Sequence, residues 1–175
     1  MPNWCANRVT ITGDPKDVKE VKDFLKASEE GKEVVFSFNA LVPMPTELIG
    51  SRSPATVLDT QKEVDAYNAE HATDRFPHTA ISLKTSTKLK LEYGADNWYD
   101  WCLANWGTKW GACDPILDEN EEDYIVYHFD TPWGPPNEIY DALIDRFPNI
   151  YVQWFYDEPG MGFAGYLPEF GASGR

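Results

Sequence analysis

Two groups of residues in this 175-residue chain have side chains suited to a functional site. The first is Asn105-Trp106-Gly107-Thr108-Lys109-Trp110, preceded by Trp98 and Trp101 and followed at a distance by Trp133. Exposed indoles stack bases, sugars or prolines, and a stacked base is worth about 1–3 kcal/mol. Asn105, Trp106, Thr108, Lys109, Trp110 and Trp133 are therefore the candidate binding residues, with Trp110 and Trp133 beside flexible turns. The second group is acidic. Asp130, Asp157 and Glu158 fall at expected strand ends, near His128 in sequence. Paired carboxylates hold Mg²⁺ for phosphodiester chemistry, so this group would suit a small metal-dependent, nuclease-like enzyme.

Both groups also have plainer explanations. Trp98, Trp101, Cys102 and Asn105 recur at helical spacing, so the indoles could pack on a sheet while Asn105 and Lys109 satisfy backbone groups at the helix end. Asp157-Glu158-Pro159-Gly160 reads as a turn. The chain has no phosphate-cradling glycine loop, nucleophile elbow or HExxH. Its cysteines (Cys5, Cys102, Cys113) and histidines (His71, His78, His128) are scattered, which suits free thiols in a reducing cytoplasm. The residues thus suggest no catalytic assignment, metal or cofactor.

Charge narrows the partner. The net charge is −14. Residues 96–175 hold 15 acids against Lys109, Arg146 and Arg175, whereas residues 1–95 are nearly balanced. A protein that tracks a phosphate backbone should show the opposite bias. Strong nucleic-acid binding is not expected, although Lys84, Lys88 and Lys90 could touch a few phosphates. Gathered on one face, the acids would make a surface that steers basic proteins, as a nucleic-acid mimic does. Asp118, Glu119, Glu121, Glu122 and Asp123 form the densest run and read as an acidic turn. No stretch reaches the roughly 18 apolar residues that span a bilayer, and the expected location is the bacterial cytoplasm.

These side chains must be positioned by alternating strands and helices. Arg8 to Thr12 alternates as a strand ending at Gly13; Asp14-Pro15 then caps and starts a helix bearing Val18, Val21, Phe24 and Leu25. Val34, Phe36 and Phe38 predict a second strand. A helix is expected over about 57–70, followed by a hairpin pairing Ala80–Leu83 with Lys88–Tyr93, and then the Trp-rich helix stopped by Gly107. Beyond it come a strand at Tyr124–Phe129, a helix with Ile139, Leu143 and Phe147, and strands at Ile150–Tyr156 and Gly162–Leu167. The order fits an α+β, split βαβ sandwich with a mostly antiparallel sheet and helices on one face. The expectation is one domain over 1–167, a central insertion at about 41–95, and a flexible tail over 168–175.

Several separated segments share one pattern. They are Met1-Pro2-Asn3-Trp4-Cys5-Ala6-Asn7, Asn105-Trp106-Gly107-Thr108-Lys109-Trp110, Phe129-Asp130-Thr131-Pro132-Trp133-Gly134-Pro135-Pro136 and Tyr156-Asp157-Glu158-Pro159-Gly160. Together they resemble the YubB-type ferredoxin-like family of plasmids and bacteriophages, a domain of unknown function. The resemblance implies the ferredoxin-like fold and a mobile-element origin, and it carries over no catalytic residues. The functional expectation is a non-enzymatic accessory protein, a binding or inhibitor module that meets a host or mobile-element protein through its acidic surface and Trp-flanked loops. The nuclease-like enzyme is the alternative.

Overall fold

A computed structural model describes residues 2–29, 31–73 and 79–168. The chain divides into two compact units, residues 1–43 with 105–175, and residues 44–104. In chain order the elements are β1 (Trp4–Thr12), α1 (Pro15–Leu25), β2 (Ala27–Glu29), β3 (Lys32–Val34) and α2 (Phe38–Leu41). Next come β4 (Thr56–Leu58), α3 (Gln61–Glu70), β5 (Ala80–Ser82), α4 (Leu83–Tyr93) and α5 (Trp98–Trp106). The last are β6 (Cys113–Asn120), β7 (Tyr124–Pro132), α6 (Asn137–Arg146), β8 (Tyr151–Glu158) and β9 (Phe163–Leu167).

In the first unit a five-stranded sheet runs in the order β6-β7-β1-β8-β9. Every neighbouring pair is antiparallel. The first four strands interleave as the split βαβ arrangement requires, with β1 central, and β9 adds an edge. α1 starts as its sequence dictates: Asp14 accepts the Lys16 N–H at 3.1 Å and Pro15 takes the first helical position. Its Val18, Val21 and Leu25 are buried, as are Ile139 and Leu143 of α6. They cover the sheet face that presents Val9, Ile11, Ile125, Tyr127, Phe129, Val152 and Trp154. Each such aliphatic side chain contributes roughly 1.5–3 kcal/mol on leaving water.

The strand expected at Val34–Phe38 is not part of this sheet. The chain instead makes the small β2–β3 hairpin, and Ser37 caps the one-turn α2 by accepting the Ala40 N–H at 3.1 Å. Both edges of β1 are already taken, by β7 and β8. Phe36 fills the aromatic core instead, its ring 5.1 Å from Tyr127, 4.9 Å from Phe129 and 6.0 Å from Trp154.

The strand β6 was hidden behind its acids. Asp118 and Glu119 belong to it, and only Glu121–Asp123 form the exposed turn into β7. As an edge strand it tolerates Pro115, and its register with β7 shifts twice, once across that proline. These irregularities mask the alternation that would have marked a strand.

In the second unit β4 and β5 pair in parallel. The expected 57–70 helix begins only at Gln61, where Thr60 and Glu63 form a reciprocal capping box. The hairpin expected at 80–93 is a strand followed by a helix. Ser82 accepts the Thr85 N–H at 3.2 Å, and Gly94, at φ 79°, closes α4 through its N–H to the Lys90 carbonyl at 3.0 Å. The alternating Lys and Leu residues of Lys88–Glu92 are all good helix formers, so caps at both ends outweighed the period-2 pattern. Ser86, Asp96 and Asn97 are buried around the helix end. The tail expected at 168–175 lies outside the described residues except for Pro168, as does His78.

Candidate functional site

Alternation along β1 sends Cys5, Asn7, Val9 and Ile11 under the helices and leaves Trp4, Ala6, Arg8, Thr10 and Thr12 on the other sheet face. Residues directly opposite on paired strands share a face, so the register defines what this open face presents. Ala6 stands between Asp130 on β7 and Asp157 on β8, and Arg8 stands between His128 and Phe155. Phe155 in turn faces Tyr166 on β9, with ring centroids 5.2 Å apart. Tyr151 and Tyr166 are exposed on the same face.

The two rows differ in charge. Around Arg8 the charges are paired: Arg8 lies 3.8 Å from Glu119 and His128 lies 3.4 Å from Asp118. The Tyr124 hydroxyl donates to Glu119 at 2.8 Å, which holds the tyrosine above its ordinary range. Around Ala6 the charges are unmatched, because Asp114, Asp130 and Asp157 have no ion pair among the described residues. Asp114 and Asp130 border a shallow pocket with Ala6, Ile116 and His128. Burial, reinforced by the Asp114 charge, pushes the Asp130 carboxyl above its usual range.

That shift has a sign that can be measured. A raised carboxyl pKa means the folded state holds the proton more tightly than the unfolded chain does. Stability then falls as pH rises from the unfolded value, near 3.8, through the folded one. Asp130→Asn should therefore raise the thermal midpoint at pH 7 by about 2–4 °C. The difference should vanish near the acid end of a pH series. Cys113, Asp114 and Asp157 flank the position and the His128–Asp118 contact lies nearby, so Asp118→Asn serves as the comparison for that contact. A midpoint that drops at pH 7 would show that ionised Asp130 stabilises the fold.

At the Trp4 end the face meets the aromatic motif. The Trp4 and Trp110 rings lie 6.4 Å apart at an interplanar angle of 32°. Lys109 Nζ sits 4.4 Å above the Trp110 ring. Trp4, Trp110 and Trp133 are 42%, 37% and 50% exposed. Trp133 adopts a left-handed backbone (φ 73°) and donates its N–H to the Asn3 carbonyl at 2.9 Å.

The preceding motif residues are less exposed. Trp106 is buried, edge-on to Phe38 at 6.0 Å, and its indole N–H donates to the Val42 carbonyl at 2.9 Å. Thr108 is buried, with its hydroxyl donating to the Trp110 carbonyl at 2.7 Å. Asn105 is half-buried near the end of α5. Gly107, at φ 74°, ends that helix where an added Cβ would run into the Glu138 carboxylate.

The acidic residues separate in the same way. Asp118 and Glu119 sit on β6 beside His128 and Arg8, whereas Glu121, Glu122 and Asp123 project from the turn. The strand-end carboxylates of the nuclease-like alternative diverge. Asp130 and Asp157 lie two strand spacings apart, about 10 Å, on the open face. Glu158 is buried beneath the sheet, accepting the Met161 N–H at 2.5 Å. Among the described residues no three His, Cys, Asp or Glu side chains gather where they could hold a metal ion. Lys88 and Lys90 of the basic strip lie within reach of Glu92 and Asp96, at 4.0 and 3.0 Å. No described helix is long and apolar enough to cross a membrane.

Sequence reasoning missed the open face as a surface, although Trp4-x-Ala6-x-Arg8 carried its signal. The strand expected over Arg8–Thr12 begins four residues earlier, at Trp4, and only pairing reveals which residues stand beside it.

Comparison with known proteins bears on this architecture. No curated protein matches the chain. Residues 105–168 match the model of a family described as the ferredoxin-like domain in Api92-like protein. The chain is also similar to the crystal structure of a protein Api92 from Yersinia pseudotuberculosis, at 16% identity and a TM-score of 0.53, over 95% of this chain and 93% of that chain. The α+β architecture expected from the sequence is thus a ferredoxin-like fold, and residues 105–168 are similar to the domain of Api92-like protein.

Proposed function

We propose that this chain is a protein-binding accessory module of the kind its YubB-type resemblance implies, borne by a phage or plasmid and acting in the bacterial cytoplasm. It meets a host or mobile-element protein through the open face of its sheet. One observation carries the reading: this face leaves Phe155, Tyr151, Tyr166 and Trp4 accessible beside carboxylates that have no cationic partner among the described residues. Exposed aromatics among polar neighbours are the usual composition of a protein interface. The unmatched carboxylates favour a partner with a basic surface, such as nucleic-acid-binding proteins carry. Inhibition then follows from occupying that basic surface.

The test compares proteins captured from host lysate by the native chain and by a Phe155→Glu/Tyr166→Glu variant. The native chain should retain a partner that elutes as salt is raised toward ~0.5 M, where charge attraction between surfaces is largely screened. The double variant should lose that partner while keeping its thermal midpoint. Identical capture by both proteins would remove the open face from the proposal.

A further inference from the structure

We propose that the Trp4 end of this face takes an arginine side chain of the basic partner, with the guanidinium stacked on exposed indole and hydrogen-bonded to the Asp114 and Asp130 carboxylates. The inference rests on the binding role just argued and names the chemistry that would be recognised.

Shape comes first. Ala6 is the smallest of the β1 residues on this face, with Trp4 and Arg8 on either side of it along the strand. A shallow pocket opens beside it, and Asp114 and Asp130 are among the residues lining it. Charge is the second argument. Among the described residues, the neighbouring Arg8 is matched by Glu119 and His128 faces Asp118, while the carboxylates around Ala6 have no counter-ion. Burial and then the Asp114 charge disfavour the Asp130 carboxylate, and a cation arriving from outside would offset both. The aromatic groups are the third. Lys109 already rests over the Trp110 ring, so this cluster accommodates a cation within its own chain. Trp4, 6.4 Å from Trp110, is exposed two residues before Ala6 and projects from the same face.

Arginine fits these features better than lysine. Its guanidinium is planar, stacks on an indole, and offers several N–H donors in a fork that suits carboxylates. The strongly hydrated ammonium of lysine would gain less from the stack.

The experiment titrates the intrinsic tryptophan fluorescence with a blocked peptide of alternating arginine and glycine, and with its lysine and citrulline counterparts. The arginine peptide should bind about fivefold more tightly than the lysine peptide, and the citrulline peptide should scarcely bind. Trp4→Ala, and separately Asp114→Asn/Asp130→Asn, should weaken arginine-peptide binding about tenfold. Glu121→Gln/Glu122→Gln removes the same charge from the turn and should change it less than about twofold. Thermal midpoints verify that each variant folds, and Trp4→Phe should restore part of the affinity lost in Trp4→Ala.

Equal affinity for arginine and lysine peptides, or equal losses in the two charge-matched double variants, would overturn the inference in favour of bulk electrostatics. If partner capture still depends on Phe155 and Tyr166, the binding role survives that failure. If capture is independent of the face as well, both proposals fall.

Discussion

Replacing Asn7 with leucine is expected to destabilise the protein by about 3–5 kcal/mol, because three buried polar groups would lose a partner with no water to replace it. The Asn7 amide nitrogen donates to the Cys5 carbonyl at 2.9 Å and to Thr131 Oγ1 at 2.8 Å. Its oxygen accepts the Trp154 indole N–H at 3.0 Å. Thr131 passes the chain on, donating to the Gly134 carbonyl at 2.7 Å. Asn7, Thr131 and Trp154 are all buried, so this network ties β1, β7, β8 and the turn before α6 through the core. Leucine matches the volume of asparagine loosely and offers no hydrogen bond, which isolates the polar cost from a cavity cost. Denaturant unfolding followed by tryptophan fluorescence measures it. Thr131→Val removes one link and should cost about 1–2 kcal/mol. An Asn7→Leu loss below about 1 kcal/mol would show that the network contributes geometry and little stability.

The second large effect lies in the unit of residues 44–104. Asp96 is buried, and its carboxylate accepts from Ser86 Oγ at 2.5 Å, Asn97 Nδ2 at 3.0 Å and Lys90 Nζ at 3.0 Å. Burial alone would raise its pKa, but the hydrogen bonds from Ser86, Lys90 and Asn97 and the lysine charge outweigh it and hold the carboxyl below its usual range. The folded state thus releases the proton more readily than the unfolded chain, and stability is present above the unfolded value near 3.8. It is lost as pH falls through the folded pKa, opposite in sign to the expectation for Asp130. Asp96→Ala should cost about 2–4 kcal/mol, held to the lower part of the buried-ion-pair range because Lys90 is largely exposed. Hydrogen exchange reads it locally: amides of α4 and of residues 95–100 should lose protection while those of β1 and β8 keep theirs. Unchanged exchange in α4 would mean that the Gly94 cap alone sustains the helix end.

The opposite signs of Asp96 and Asp130 separate a carboxylate surrounded by hydrogen-bond donors from one that is partly buried beside another carboxylate. Asp96 is surrounded by donors from its own unit. Asp130 has the Asp114 carboxylate as its neighbour instead. A ligand cation near Asp130 would supply what Ser86, Asn97 and Lys90 supply to Asp96.

How much was legible in the sequence follows from where the deciding interactions lie. α1 was legible because Asp14, Pro15 and the Val18–Val21–Leu25 stripe act within one helix. β7, α6, β8 and β9 were legible for similar reasons, their periodicity unbroken by the side chains around them. β6 was not, since its pairing with β7 crosses a proline and a second register shift that local pattern does not encode. Phe36 and Phe38 alternate as a strand would, yet they serve the core between sheet and helices, because β1 had no edge left to offer. The Lys–Leu alternation of Lys88–Glu92 was overruled by caps contributed by Ser82 and Gly94.

By itself the sequence determined the class of fold, most of the elements and the acidity of the C-terminal half, since these depend on residue type and near-neighbour spacing. Tertiary structure alone decided which tryptophans are exposed and which carboxylates share a face. Trp106 and Trp110 lie four residues apart in one motif, but Val42 and Phe38 bury the first while the second meets Trp4 in the open. Asp130 and Asp157 become neighbours of Ala6 only through strand register, a contact between segments more than a hundred residues apart. Burial and charge pairing are set by what surrounds a side chain in space, and that comes from long-range pairing rather than from the residues beside it.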